Sequence, residues 1–304
     1  MTEATDTSRR CAVIYNPVKV TDRFAERVEK SLAEHGFAPA LWLETSEEDP
    51  GVGMARRAVA EQVDLVLGAG GDGTIRLIAD GLADSGIPLG IVPSGTGNLL
   101  ARNLDLPLDE AAAIEIALLG RTRAIDLIRL TVDDRPAEHF AVMAGVGVDA
   151  AIMNETDPEL KKVIGVGAYV VAARKALQKL PLQVTVRVDD LKPLRRHAML
   201  CLIGNVGQLQ AKITLIADAE PDDGLLDVYI ASPRRLSHWF KVVLRMITRR
   251  PQKDDRVDQL KGRRATITIE SPDDYQLDGD AAGSCRRLEA EVRPGALVVC
   301  VPLA

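Results

Sequence analysis

Two glycine-rich turns constrain the fold of this chain more than any other feature. They read Gly70-Gly71-Asp72-Gly73-Thr74 and Pro93-Ser94-Gly95-Thr96-Gly97-Asn98. Each turn directly follows an apolar run of strand length, DLVLGA (64–69) or PLGIVP (88–93), and each precedes a stretch with helical periodicity. A repeated order of strand, turn and helix predicts a parallel sheet that is covered by helices.

The same alternation extends over the first part of the chain, because the apolar runs CAVIYN (11–16) and APALWL (38–43) are also separated by stretches with helical periodicity. We therefore predict an α/β N-terminal lobe with a parallel sheet at residues 10–130, and we expect residues 296–304 to return to it.

The pattern changes after Asp126. Strands rich in β-branched residues then follow one another with short links, at 180–189, 196–205, 225–231, 263–271 and 287–302. Helical stretches near 155–180 and 236–249 interrupt them. Consecutive strands with short connections favour an antiparallel arrangement. Residues 131–295 are therefore predicted to form a mainly antiparallel β-sandwich C-terminal lobe.

Composition excludes several classes of protein. A chain of 304 residues with 46% hydrophobic content can fill two cores. Its net charge of -6 gives no basic field for nucleic acid. The four cysteines are scattered and predict buried thiols in a reducing compartment. With no signal-peptide core and no apolar run of about 20 residues, we expect a cytoplasmic protein that contacts membranes only peripherally.

The two turns are suited to binding phosphate. At the carboxyl edge of a parallel sheet, glycines let the backbone N–H groups approach a phosphate, and the helix N-termini that follow favour negative charge. Asp72 would repel a bare phosphate, so its presence indicates a divalent cation. Neither turn is a Walker loop, and no GxGxxG follows the first strand. For either turn taken singly, a tight connection between strand and helix remains an alternative.

Six segments resemble the diacylglycerol kinase catalytic family, which also contains sphingosine kinases and bacterial lipid kinases. They are GGDGT (70–74), PSGTGNLLARNL (93–104), IDL (125–127), GVGVDA (145–150), DDGLLDV (222–228) and LDGD (277–280). The resemblance covers roughly residues 10 to 300. The NAD kinase family shares the first segment but differs at the GTGN and DGD segments.

This resemblance implies an ATP-dependent lipid kinase whose active site lies in the cleft between the lobes. The implied nucleotide-binding residues are Asn16, Pro17, Thr45, Gly70, Gly71, Asp72, Gly73, Thr74, Gly95, Thr96 and Asn98. Asp72 and Asp126 would organise a catalytic magnesium ion, and Asp280 would act as the base. The resemblance also implies a structural magnesium site formed by the Asp223 carboxylate and the carbonyls of Glu220 and Leu225.

The chain departs from the family pattern at three places. Asn-Pro-Val-Lys-Val follows the first strand where a Ser-Gly pair is usual, Leu99 stands where many relatives carry Asp, and Asp280 stands where Glu is usual. A shorter carboxylate must still reach hydrogen-bond distance of the hydroxyl, about 2.6–3.2 Å. Two alternatives therefore stay open: a catalytically weak lipid-binding regulatory protein of the same fold, and an NAD kinase-like enzyme for a soluble substrate.

A basic amphipathic segment at 234–250 suits an anionic membrane surface. Its apolar residues follow helical spacing, and arginines and lysines lie between them. An ordinary helix with a solvated charged face is the alternative. A lipid substrate at the membrane surface and a homodimer are the expected partners. The sequence leaves open which lipid is used.

Overall fold

The computed structural model describes residues 8–147, 181–208, 215–216, 218–232 and 257–303. The predicted helix near 155–180, the last residues of GVGVDA and the basic segment 234–250 lie outside the described residues. The chain divides into two compact units, Met1–Leu127 with Gly295–Ala304, and Ile128–Pro294.

The first unit contains a parallel sheet in the order β2-β1-β3-β4. Its strands are β1 (Cys11–Tyr15), β2 (Leu41–Glu44), β3 (Leu65–Gly70) and β4 (Leu89–Pro93). Its helices are α1 (Phe24–Glu34), α2 (Val52–Ala60), α3 (Asp72–Leu82), α4 (Leu99–Asn103) and α5 (Glu110–Leu119). Close to the C-terminus, Val299 adds a parallel pairing to Leu89 of β4. The predicted parallel α/β lobe is confirmed.

Burial explains why these segments form strands and helices. Every residue of β3 and β4 is buried, as expected where helices cover both faces of a parallel sheet. Helix α1 turns Phe24, Val28 and Leu32 towards this core at helical spacing. Helix α5 begins at a capping residue, because the Asp109 carboxylate accepts a hydrogen bond from the N–H of Ala112 at 2.9 Å.

The second unit is mainly antiparallel, as predicted. The strands from Arg121 onward are β5 (Arg121–Val132), β6 (Glu138–Phe140), β7 (Met143–Val146), β8 (Leu182–Val188), β9 (Leu194–Ala198), β10 (Leu200–Gly204), β11 (Leu226–Ala231), β12 (Val257–Gly262), β13 (Arg264–Leu277) and β14 (Asp280–Val301). The part of β5 up to Leu127 and the part of β14 from Gly295 belong to the first unit. One run of paired strands is β12-β11-β10-β7-β13-β14, and β8 pairs with β13 and β9. Alternate residues such as Val184, Val186 and Val188 enter the core.

Strands β13 and β14 are longer than the apolar runs at 263–271 and 287–302 suggest. Register shifts between Thr268 and Asp273 carry the pairing past a polar stretch that interrupts the alternation. The two strands therefore continue to a hairpin at Asp278 and Gly279, where the LDGD segment lies. No helix among the described residues is long and apolar enough to cross a membrane.

Candidate active site

The two glycine turns lie side by side at the carboxyl edge of the parallel sheet. Gly70 at the end of β3 is paired with Pro93 at the end of β4, so both strands end at the same level. The Ser94 N–H donates to the Gly70 carbonyl at 2.9 Å. A Cβ at Gly95 would come within 2.7 Å of the Gly71 Cα, so residue 95 must lack a side chain for the turns to meet.

Asp72 joins the two turns. Its Oδ2 accepts a hydrogen bond from the Asn98 N–H at 2.8 Å, and its Oδ1 accepts one from the Leu99 N–H at 2.5 Å. These charge-assisted bonds hold the start of α4 against the start of α3. Each carboxylate oxygen has a further lone pair, so these bonds leave Asp72 able to hold a cation or its water. The role in bracing the turns was missed in the sequence, because it depends on a contact across 26 residues.

Asn98 shapes the second turn with its side chain. Its backbone is left-handed, with φ 50° and ψ 49°, a conformation that Asn tolerates better than most residues. Its Oδ1 accepts from the Gly95 N–H at 2.9 Å, and its Nδ2 donates to the Gly95 carbonyl at 2.7 Å. The predicted nucleotide-binding residue Asn98 therefore makes the turn rigid, while Thr96 at the tip is exposed.

The start of α3 has the form of a phosphate cradle. The helix begins at Asp72, and its first backbone bond runs from the Ile75 N–H to the Gly71 carbonyl. The N–H groups of Gly73 and Thr74, which precede Ile75, therefore belong to the first turn of the helix, where backbone N–H groups have no acceptor within the helix. Such a turn, after a strand and beside a second glycine turn, fits the phosphates of a nucleotide.

The other predicted nucleotide-binding residues of the first unit lie along the same edge. The Asn16 N–H donates to the carbonyl of Ala69 at 3.0 Å, and the Thr45 N–H donates to that of Tyr15 at 2.9 Å. Asn16 and Pro17 thus follow β1 directly, and Thr45 follows β2, where it is buried. The structure therefore brings Asn16, Pro17, Thr45 and the two turns to the carboxyl ends of four neighbouring strands.

Asp126 lies on β5 and is almost completely buried. Its Oδ1 accepts a hydrogen bond from the Gly295 N–H at 2.8 Å, where the left-handed backbone of Gly295 has φ 62°. This carboxylate therefore ties β5 to the segment that returns to the first unit. In the sequence, Pro294-Gly295 marks a turn just before residues 296–304, which were expected to return to the first lobe.

In the second unit, Asp280 lies exposed at the beginning of β14. The hairpin turn before it consists of Asp278 and Gly279, with φ 48° and 96°, as a two-residue turn with both residues left-handed requires. Asp278 is buried, and its Oδ1 accepts from the N–H groups of Val142 and Met143 at 3.1 and 2.9 Å. Its own N–H donates to the Met143 carbonyl at 2.8 Å.

Asp278 therefore anchors the hairpin that presents Asp280 to solvent. Sequence reasoning singled out Asp280 and missed Asp278. The Asp-Gly pair does signal a tight hairpin turn. Burial of the first residue of that pair follows only from the position of the 141–143 segment against the turn.

Asp223, the carboxylate of the predicted structural metal site, lies beside a lysine in the fold. Asp223 accepts from the Leu225 N–H through Oδ1 at 2.9 Å and from the Lys261 Nζ through Oδ2 at 2.8 Å. Lys261 also donates to the Asp218 carbonyl at 2.8 Å and lies 3.6 Å from Asp227 Oδ2. Among the residues that the structure describes, no three His, Cys, Asp or Glu side chains form a metal-binding group.

Burial also affects the charges of this cluster. It raises the pKa of Asp227 to about 6, because loss of solvent outweighs the attraction of the Lys261 ammonium. Burial by itself lowers the pKa of Lys261, but the hydrogen bond to Asp223 and the charge of Asp227 bring it above its ordinary value. Lys261 is therefore a charged ammonium at neutral pH.

Comparison with known proteins gives a consistent assignment. Residues 10–130 match the diacylglycerol kinase catalytic domain, and residues 141–301 match the YegS C-terminal NAD kinase beta sandwich-like domain. The chain is 26% identical over 282 residues to a diacylglycerol kinase of Bacillus subtilis, covering 90% of this chain and 91% of that protein. It is also 26% identical over 283 residues to one of Staphylococcus saprophyticus, covering 90% of each.

Two solved structures share the fold. A diacylglycerol kinase from Bacillus anthracis superposes with a TM-score of 0.77 at 22% identity and covers 97% of both chains. An NAD kinase from Archaeoglobus fulgidus in complex with ATP gives a TM-score of 0.50 at 14% identity, covering 96% of this chain and 93% of that one. From the two matched domains and these relatives, we conclude that the chain belongs to the diacylglycerol kinase catalytic domain family.

Proposed function

We propose that this protein is a kinase that transfers the γ-phosphate of MgATP to a lipid hydroxyl, as on diacylglycerol. The observation that carries the proposal is the pair of glycine turns joined by the Asp72 carboxylate, because this arrangement provides rigid backbone donors for phosphate at one sheet edge. Relatives named diacylglycerol kinase, aligned over 90% of the chain, support a lipid as the acceptor.

Phosphoryl transfer requires positioning, charge neutralisation and a group that accepts a proton. In this proposal the N–H groups at the start of α3 hold the phosphates, and Thr96 contacts them from the second turn. Asp72 and Asp126 are the carboxylates that would hold a magnesium ion, which neutralises phosphate charge when bound. The hydrogen bonds of Asp72 to Asn98 and Leu99 keep its carboxylate in place before the nucleotide arrives.

Asp280 is the proposed base. As the lipid hydroxyl oxygen attacks the γ-phosphorus, its proton passes to the Asp280 carboxylate, and the bond from the γ-phosphorus to the bridging oxygen breaks to release ADP. The side chain is exposed beside a hairpin turn that Asp278 anchors, so it is accessible and its backbone is held in place.

Leu99 stands where many relatives carry an acidic residue, and this difference affects the catalytic rate that we expect. The Leu99 side chain is buried, and its backbone N–H is the group that contacts Asp72. The acidic group that many relatives offer here is therefore replaced by a core residue. The catalytically weak alternative of the same fold predicts MgATP binding without turnover.

We also propose that the protein works at the inner face of the membrane, where its substrate lies, with contact through the basic segment 234–250. Retention by liposomes that contain anionic lipid, and its loss at high salt, is the expected result. Liposomes that fail to retain the protein at low salt would contradict this contact.

The deciding experiment is a transfer assay with ATP labelled at the γ-phosphate. Diacylglycerol, a sphingoid base, a polyprenol, a glycolipid and NAD are offered separately, and labelled products are identified by mass. We expect label in a lipid product and its loss in Asp280→Asn. Label in NAD would support the soluble-substrate alternative. MgATP binding without any labelled product would support the regulatory alternative.

A further inference from the structure

A compact group of charges lies in the second unit between the loop that precedes β11 and strand β12. It consists of the Asp218 carbonyl, the Asp223 and Asp227 carboxylates and the Lys261 ammonium, and we call it the Lys261 cluster. The Nζ atom lies 2.8 Å from Asp223 Oδ2, 2.8 Å from the Asp218 oxygen and 3.6 Å from Asp227 Oδ2. One ammonium thus contacts three oxygen-bearing groups.

The fold fixes this ammonium in place. Lys261 is directly opposite Asp227 in the antiparallel pairing of β11 and β12, so the strand register sets the pair. The side chains of Lys261, Asp223 and Asp227 are 32%, 20% and 4% exposed. Asp227 Oδ1 is buried without a hydrogen-bond partner among the described residues, and the nearby Lys261 charge, with a hydrogen bond from Gln259, offsets part of the cost of burying this carboxylate.

The same geometry disfavours a divalent cation at Asp223. Its Oδ1 accepts from the Leu225 N–H and its Oδ2 accepts from Lys261, so a cation bound there would lie beside this ammonium. Mg²⁺ requires near-octahedral oxygen ligands at about 2.0–2.1 Å. A magnesium ion on Asp223 would meet the Lys261 ammonium at close range, and the two positive charges would repel each other.

We propose that Lys261 replaces a structural magnesium ion in this protein. Its ammonium supplies, as part of the chain, the positive charge that links the loop at Asp218–Leu225 to strands β11 and β12. The sequence expectation of a metal held by Glu220, Asp223 and Leu225 is thereby revised. Magnesium is then required with the nucleotide in the first unit and not for the stability of the second.

The experiment measures thermal unfolding of the whole protein without nucleotide, in EDTA and in millimolar magnesium at matched ionic strength. For the wild type we expect the same Tm in both. Lys261→Met keeps the aliphatic stem but removes the charge, and we expect its Tm in EDTA to fall by several degrees. Magnesium then restores part of that loss, because the carboxylates are no longer neutralised. The double variant Lys261→Met/Asp223→Asn loses this recovery.

Lys192→Met is the matched control, because Lys192 is an exposed lysine of the same unit with no ion pair among the described residues. Its Tm should stay at the wild-type value with and without magnesium. The proposal is overturned if magnesium raises the wild-type Tm saturably and Asp223→Asn removes the rise. It is also overturned if Lys261→Met matches the wild type in EDTA. Should Lys261→Met not fold, the comparison of wild type with Asp223→Asn still decides.

Discussion

The bracing role of Asp72 can be separated from metal binding by the substitution Asp72→Asn. The carboxylate accepts the N–H groups of Asn98 and Leu99, one on each oxygen. An amide offers only one acceptor oxygen, so its NH₂ group must face one of the two backbone donors. Hydrogen bonds to charged groups contribute about 1.5–3 kcal/mol, and a buried donor left without a partner costs about 1–3 kcal/mol.

Because Asp72 is only partly buried, we expect a loss near the lower end of that sum, about 2–3 kcal/mol in the free energy of unfolding of the first unit. Urea unfolding in EDTA without nucleotide measures it. A Trp239→Phe background leaves Trp42 of β2 as the only tryptophan, so its fluorescence follows the first unit. Both proteins are compared at the same urea concentrations.

Asp22→Asn is the control, because Asp22 is an exposed acidic residue of the same unit and loses the same charge. We expect it to change stability by no more than about 0.5 kcal/mol. The reasoning is refuted if Asp72→Asn unfolds like the wild type in EDTA. The importance of Asp72 would then come from metal binding alone, and the second turn would be held by other contacts.

Three further results are expected. Gly95→Ala places a Cβ 2.7 Å from the Gly71 Cα in the first turn, so we expect it to weaken MgATP binding at least about tenfold, as measured by calorimetry. An unchanged affinity would show that the two turns can separate freely. Asp278→Ala leaves two buried N–H groups without an acceptor, and we expect its free energy of unfolding in urea to fall by about 2–4 kcal/mol. Asp280→Ala should unfold like the wild type but lose phosphoryl-transfer activity. Burial raises the pKa of Cys11 to about 12 and of Cys300 to about 11. Their thiolate fractions at pH 8 are therefore about 10⁻⁴ and 10⁻³, and a thiol reagent should react with them only after urea unfolds the protein.

The sequence alone predicted the two kinds of fold and the sheet edge at which the two glycine turns lie. Strand and helix periodicities are local properties, and the paired glycine turns mark where two parallel strands end. The segments of the diacylglycerol kinase family added Asp126 and Asp280, which no local pattern distinguishes from ordinary strand-end and turn residues.

Only the tertiary structure showed which groups the carboxylates of Asp72, Asp278 and Asp223 contact. Asp72 meets the second turn across 26 residues, and Asp278 meets the 142–143 backbone across more than 130. The Asp223 to Leu225 segment was predicted from the sequence to hold a metal ion, and strand register places Lys261 against it. Such contacts join parts of the chain that are far apart in sequence. The net charge at a site therefore depends on every segment that packs there. For this reason the sequence pattern located the two glycine turns, whereas only the fold showed which acidic residues accept hydrogen bonds from backbone amides and which contact a lysine.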